Sequence, residues 1–236
     1  MARMECRLVV AQTNPVLGDL RANLEDHLER VEAALGNSDL ILFPELSLTG
    51  YELDAEPVDP GDPALRPLVD ACAAAAAVAL AGAPVDEDGR RAIAALRVDG
   101  DGVAVAYRKT HLGGEEPARF APGDGPAVLE LDGRRVGIGI CKDTGQAAHV
   151  DGVAALGPDL YVAGLVHGAH ERAEQDRRGT RIAAACGCPV AFASFAGPTG
   201  HGYGTTAGTS TIWDAAGRVL ARAGDAPGEV VAARVP

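Results

Sequence analysis

Short apolar runs recur along this chain, each cut off by a proline, a glycine or a charged residue, and they constrain its fold more than any other feature. Runs of four to six valine, leucine, isoleucine and alanine residues are too short for helices and read as buried strands. Residues 7–11 and 40–43 are the first two, and the second stops at Pro44. Between them Asp19 caps a helix in which Leu20, Leu24, Leu28, Val31 and Leu35 fall at helical spacing before Gly36. Asp62 followed by Pro63 opens a second helix through an alanine run, which gives way near Val78 to a strand ending at Pro84.

Farther along, the separators become tight turns. Residues 91–98 and 103–107 alternate apolar and polar around Asp99-Gly100-Asp101-Gly102, and residues 127–131 and 136–140 flank Asp132-Gly133, both hairpin signals. Helices over 146–156 and 171–186, strands over 160–163 and 190–195, a glycine-rich loop over 197–208 and short closing strands near 209–214, 219–222 and 230–233 complete the chain. Strands separated first by helices and later by hairpins predict an α/β fold of mixed sheets covered by helices, not a purely parallel doubly wound sheet. No repeat or linker interrupts it.

Composition narrows the function. Twenty-one Lys and Arg against 33 Asp and Glu leave a net charge of −12 over 236 residues, which opposes a general phosphate-binding surface, and aromatics at 4% offer little for base stacking. No nucleic acid and no membrane partner is expected. The start of the chain has charges inside its apolar stretch, so no secretory leader is expected, and the alanine-dominated stretch over 71–83 is too short to cross a bilayer. A cytoplasmic protein follows. Five scattered cysteines, Cys6, Cys72, Cys141, Cys186 and Cys188, are an odd number on a large chain and read as reduced thiols.

Three reactive side chains share one placement. Glu45 follows Leu-Ile-Leu-Phe-Pro, Lys109 follows Val-Ala-Val-Ala-Tyr-Arg, and Cys141 follows Val-Gly-Ile-Gly-Ile. A strand end holds a side chain rigidly at the rim of a sheet, within reach of a substrate. Taken singly, each also fits a bland role, a packed thiol or a solvated charge. Together, the segments Phe43-Pro44-Glu45-Leu46-Ser47-Leu48-Thr49-Gly50-Tyr51, Tyr107-Arg108-Lys109-Thr110-His111-Leu112 and Gly137-Ile138-Gly139-Ile140-Cys141-Lys142-Asp143 resemble, in order and spacing, the three motifs of the nitrilase superfamily of carbon-nitrogen hydrolases. The resemblance covers essentially the whole chain, so residues 1–236 are expected to form a single carbon-nitrogen hydrolase domain.

That resemblance implies a four-layer α-β-β-α sandwich, a homodimer or higher homo-oligomer, and a Glu45-Lys109-Cys141 triad that needs no cofactor or metal. A free thiol with a pKa of about 8.5 requires a base or cation to activate it, which Glu45 and Lys109 would supply. Lys109 and the backbone N–H of Lys142 would hold the oxyanion, one such donor being worth about 3 kcal/mol of barrier. The family's second glutamate is expected in Glu115-Glu116-Pro117-Ala118-Arg119-Phe120, where the spacing to Phe120 favours Glu116 over Glu115 as the group positioning Lys109. Tyr51, Lys142 and His167 are expected to face the substrate.

The chain departs from the family after the nucleophile. Lys142-Asp143-Thr144-Gly145-Gln146-Ala147-Ala148 lacks the usual aromatic and Phe-Pro-Glu stretch, which changes the pocket wall. His167 and His170 with Cys186 and Cys188 do not match zinc spacings, and no Walker or dinucleotide fingerprint is present. The loop over 197–208 reads as a mobile segment near the site. The expected activity is hydrolysis of a small amide or carbamoyl compound through a cysteine thioester. Nitrile hydrolysis, acyl transfer to an amine and a non-catalytic thiol sensor or scaffold are the alternatives. The net charge favours neutral or cationic substrates by long-range steering, opposed locally by Lys109, Lys142 and Arg119.

Overall fold

The computed structural model describes residues 5–36 and 38–236; the first four residues, which carry part of the reading against a leader, lie outside them. Strands β1 (Cys6–Ala11), β2 (Leu40–Leu42), β3 (Val78–Glu87), β4 (Arg90–Asp99), β5 (Gly102–Arg108) and the C-terminal β12 (Val230–Val235) form one sheet in the order β12-β1-β2-β3-β4-β5. Strands β6 (Ala127–Leu131), β7 (Arg134–Ile140), β8 (Leu160–Leu165), β9 (Val190–Ser194), β10 (Thr211–Trp213) and β11 (Val219–Arg222) form the second, in the order β11-β10-β9-β8-β7-β6. Both are mixed. In the first, β1, β2 and β3 run parallel; in the second, β7, β8 and β9 do.

Parallel neighbours need long crossovers, and helices supply them. α1 (Leu20–Ala33) and α2 (Arg66–Ala75) cover the first sheet, α3 (Ala147–Ala155) and α4 (Arg172–Cys186) the second. Period-two side-chain alternation explains why the strands look continuously apolar. Leu8, Val10, Leu40 and Leu42 point into the core between the sheets, while Val9, Ala11, Ile41 and Phe43 join Leu24, Val31, Leu68 and Cys72 beneath the helices. Each such side chain contributes about 1.5–3 kcal/mol on burial.

The helix caps follow the sequence. Asp19 accepts from the Ala22 N–H, and Asp62 from the Ala64 N–H, although α2 itself begins only at Arg66 after a short 3-10 turn. Where α4 crosses the second sheet, Gly179 lies so close to Trp213 that a Cβ there would come within 2.7 Å of the indole. The first sheet departs from expectation at Pro84. β3 does not end there but runs on to Glu87 and turns through Asp88-Gly89, both at positive φ, into β4. The Pro84 carbonyl faces away from β4 and accepts from the Val58 N–H. Its missing N–H would face the same way, past the end of β2, so no ladder bond is lost. Among the described residues no helix is long and apolar enough to cross a membrane.

Candidate active site

The carboxyl ends of the parallel strands converge with the end of β5, the region where open α/β sheets bind ligands. Glu45 follows β2 by three residues. Its backbone is gripped from both sheets, because Gly82 on β3 lies against Pro44 and Leu46, and Gly164 on β8 lies against Phe43, Pro44 and Glu45. Leu46 turns the chain at φ 52, and the Ser47 N–H returns to the Pro44 carbonyl at 3.3 Å. Beneath this turn the buried His27 bonds the Ser47 hydroxyl at 2.8 Å and stacks on Phe43 at 3.9 Å.

Lys109 extends β5. Its N–H donates to the Ile93 carbonyl, and its own carbonyl accepts from Gly123. The buried ammonium donates to Glu45 Oε1 at 2.6 Å and to Glu116 Oε1 at 2.7 Å. Glu116 also accepts from the Tyr51 hydroxyl at 2.6 Å and from the Gly113 N–H at 2.7 Å. The two neighbouring glutamates separate cleanly: Glu116 is buried on Lys109, whereas Glu115 is exposed and pairs with Arg119. Burial opposes the charge on Lys109, yet Glu45, Cys141 and Glu116 together hold its pKa above the ordinary value. Burial raises Glu45 well above the usual carboxylate range despite the pull of Lys109. Glu45 Oε2 is buried with no hydrogen-bond partner among the described residues.

Cys141 opens a 3-10 turn, Cys141–Gly145, directly after β7. Its φ of 40 lies in the left-handed region, a strain that for a non-glycine residue costs roughly 1–3 kcal/mol and marks functional turns. The turn is held by Asp143, which accepts from the Ile140 N–H, the Tyr107 hydroxyl, the His111 N–H and the His111 ring. The Thr144 hydroxyl donates to the Cys141 carbonyl at 2.6 Å. The Cys141 thiol donates to the Val166 carbonyl at 3.2 Å, and burial raises its pKa while Lys109 pulls it down.

Above Cys141 and Lys109 lies a cavity of about 590 Å³, lined also by Tyr51, Glu116, Lys142, His167, Arg178 and Tyr203. Tyr51 and Tyr203 meet edge to face at 5.3 Å. The Lys142 side chain runs along the rim and donates to the Leu112 carbonyl at 2.7 Å. His167 is buried, with both ring nitrogens engaged. Gln175 Nε2 donates to the Gly208 and Thr209 carbonyls, so its Oε1 accepts from His167 Nδ1–H at 3.3 Å, and Nε2 is left to accept from Arg178 Nη1 at 3.3 Å. Burial, reinforced by Arg178, keeps that imidazole neutral by lowering its pKa.

Tyr203, at the tip of the glycine-rich loop, and Arg178 on α4 were not singled out from the sequence. The loop is tied down rather than free along its length: the Thr199 hydroxyl accepts from the Tyr51 N–H, and the Thr205 carbonyl accepts from Ala169. Among the described residues, the groups of histidine and acidic side chains close enough to share an ion are His111–Asp143–His149 and Glu52–Asp54–His201; neither includes His167, His170, Cys186 or Cys188. Asp143 in the first already accepts four hydrogen bonds, which fits support of the Cys141 turn.

Comparison with known proteins gives a consistent family. The model of the carbon-nitrogen hydrolase family matches residues 7–236. An (R)-stereoselective amidase from Pseudomonas sp. is 30% identical over 149 residues, 61% of this chain and 54% of its own length. A glutamine-dependent NAD(+) synthetase from Thermotoga maritima is 30% identical over 167 residues, 66% of this chain and 29% of its own length. The chain thus spans about half of the first relative and under a third of the second. In structure it is similar to an amidase from Nesterenkonia sp. AN1, solved as a cysteine mutant in complex with butyramide, at a TM-score of 0.85 and 25% identity, covering 98% of this chain and 91% of that one. It shares its fold with XC1258 from Xanthomonas campestris at a TM-score of 0.86 and 19% identity, covering 99% and 91%.

Proposed function

Since the chain belongs to the carbon-nitrogen hydrolase family of the nitrilase superfamily, we propose that it hydrolyses a small primary amide through a thioester on Cys141. The observation that carries this reading is the buried Glu45. One of its oxygens is held by Lys109 and the other is buried with no hydrogen-bond partner among the described residues, while Lys109 and Cys141 border the same cavity.

In the first step Cys141 Sγ attacks the amide carbonyl carbon while its proton passes to Glu45. A base with an ordinary carboxylate pKa would be a poor acceptor for a thiol proton; burial raises the pKa of Glu45 and makes it a better proton acceptor than an ordinary carboxylate. The carbonyl oxygen, now an oxyanion, is held by the Lys109 ammonium and the Lys142 N–H, which lies in the first turn of the 3-10 segment where donors have no partner within the turn. Glu45 then gives its proton to the amide nitrogen, the C–N bond breaks and ammonia leaves. Water, deprotonated by Glu45, attacks the thioester, and collapse releases the carboxylic acid and returns the thiol. Glu116 and Tyr51 act through Lys109 by fixing its position.

The test is intact-protein mass spectrometry of wild type and Cys141→Ala after mixing with small amides, nitriles and carbamoyl compounds, with ammonia followed in the same samples. An acyl adduct and ammonia from the wild type alone are expected. Ammonia limited to one equivalent per adduct, with turnover only when an amine acceptor is added, would indicate acyl transfer. Adducts from nitriles only would indicate a nitrilase. Absence of both signals, with Cys141 no faster toward iodoacetamide than the buried Cys6, Cys72 and Cys188, would indicate a non-catalytic thiol protein.

A further inference from the structure

Arg178 occupies the wall of the Cys141 cavity in a manner the hydrolytic steps do not use. Its guanidinium is fixed on every side but one. Nε donates to Glu174 at 2.7 Å, and Nη1 donates to the Thr144 hydroxyl and to the lone pair of neutral His167, each at 3.3 Å. The plane lies across Gly145, where a Cβ would come within 3.0 Å of Cζ and 3.2 Å of both terminal nitrogens. Nη2 makes no hydrogen bond among the described residues, and the group borders the cavity. Through Thr144 it stands two hydrogen bonds from the carbonyl of Cys141 itself.

Three cationic side chains, Lys109, Lys142 and Arg178, and three acids, Glu115, Glu116 and Glu171, border the cavity, so what distinguishes Arg178 is its partly free guanidinium rather than a net charge of the lining. Glu174 serves two guanidinium groups, since Arg177 also donates to it at 2.7 Å, so the pair keeps about one net positive charge. Among the described residues, Lys142 at the rim is bonded to a neutral carbonyl, that of Leu112. Of the acids, Glu116 accepts from Lys109 at 2.7 Å, Glu115 pairs with Arg119 at 3.2 Å and approaches His201 at 3.8 Å, and Glu171 accepts from the neutral Gly168 N–H at 2.8 Å; among the described residues none of the three pairs with Arg178. A rigid, partly unsatisfied guanidinium beside a cavity suits a carboxylate, which it can meet in a charge-assisted, directional contact. Resting on the amide-hydrolase reading of the site, we infer that the substrate is an amide carrying a second, anionic group, and that Arg178 binds that group as a carboxylate and so sets specificity. The net charge of −12 argues for neutral or cationic substrates only at long range, where salt screens it.

The test compares succinamate with 4-oxopentanamide, a neutral molecule of nearly the same shape, by titration calorimetry on the Cys141→Ala protein. Succinamate is expected to bind about 10- to 100-fold more tightly, as one buried charge-assisted contact provides. Adding Arg178→Gln should bring that ratio close to one. Equal affinities in Cys141→Ala, or a ratio that survives Arg178→Gln, would overturn the inference. A role of Arg178 confined to orienting His167 or Thr144 would weaken both ligands alike and leave the ratio intact. Should Arg178→Gln fail to fold, phenylglyoxal labelling of Arg178 in Cys141→Ala replaces it. Protection by succinamate and not by 4-oxopentanamide is expected, and equal labelling would overturn the proposal. Tight succinamate binding through Arg178 without ammonia release from the wild type would keep the subsite and remove the hydrolase reading instead.

Discussion

Gly164→Ala offers a direct way to move Glu45 without touching it. Gly164 lies in β8 with no positive φ, so alanine is conformationally acceptable and its whole effect is steric. The new methyl would sit 2.7 Å from the Glu45 nitrogen and 2.8 Å from the Phe43 carbonyl oxygen. Ordinary contact begins at 3.4 Å, so the backbone carrying Glu45 must yield by about 0.7 Å, in an interior where the void bordered by Glu45 and Gly164 holds only about 10 Å³. Overpacking of this kind costs about 1–3 kcal/mol of stability. Because a misplacement of about 1 Å costs about 100-fold in rate, kcat/KM for amide hydrolysis should fall about 10- to 100-fold. Leu68→Ala is the control. It removes a buried side chain beneath α2 and should destabilise by about 2–5 kcal/mol, as much or more, with little effect on turnover well below its Tm. Denaturant titrations and steady-state kinetics on both variants decide the matter. If turnover follows stability equally in the two, or if Gly164→Ala keeps full kcat/KM, the claim that Gly164 positions Glu45 is wrong.

Two further predictions concern pH. Burial lowers the pKa of His27 from 6.5 to about 4, so between those values the unfolded chain binds a proton that the folded one refuses. Stability should therefore fall as pH drops from about 6.5 to about 4, by roughly 3 kcal/mol from this group. Urea titrations should show a shallower acid loss in His27→Gln, and parallel losses would refute the assignment. The acid limb of kcat/KM should lie well above pH 4.5, because Glu45 must be unprotonated to accept the thiol proton and its pKa is raised by burial. A limb at or below 4.5 would exclude Glu45 as the base.

Much of this fold is legible in the sequence because its signals are local. Asp19 and Asp62 act as caps, Asp99 to Gly102 and Asp132-Gly133 turn hairpins, and apolar runs end where strands end. The Asp88-Gly89 hairpin was hidden by Pro84, since whether a proline breaks a strand depends on which side its missing N–H faces, a property of the neighbouring strand. The segments bearing Glu45, Lys109, Glu116 and Cys141 were recognisable from their motifs. Their hydrogen bonds were not, because they join residues such as Glu45 and Lys109 that lie 64 positions apart. Arg178 was overlooked on a helix rich in charge. The buried face of α4 carries Gln175, Gly179 and Ile182, and the polar Gln175 on that stripe was the one available sign that it looks onto something other than a plain core.

The grip on Glu45 by one glycine from each sheet also bears on how the molecule comes into being. Neither half of the chain can assemble the base, the ammonium and the thiol alone: Glu45 and Lys109 arrive with the first sheet and Cys141 with the second. Such distant pairings form late, after shorter loops have closed. Trp213, packed against Gly179 inside the second half, reports an earlier event, the laying of α4 onto its own sheet. During refolding, indole burial should run ahead of recovered turnover, and the interval between them times the meeting of the two sheets.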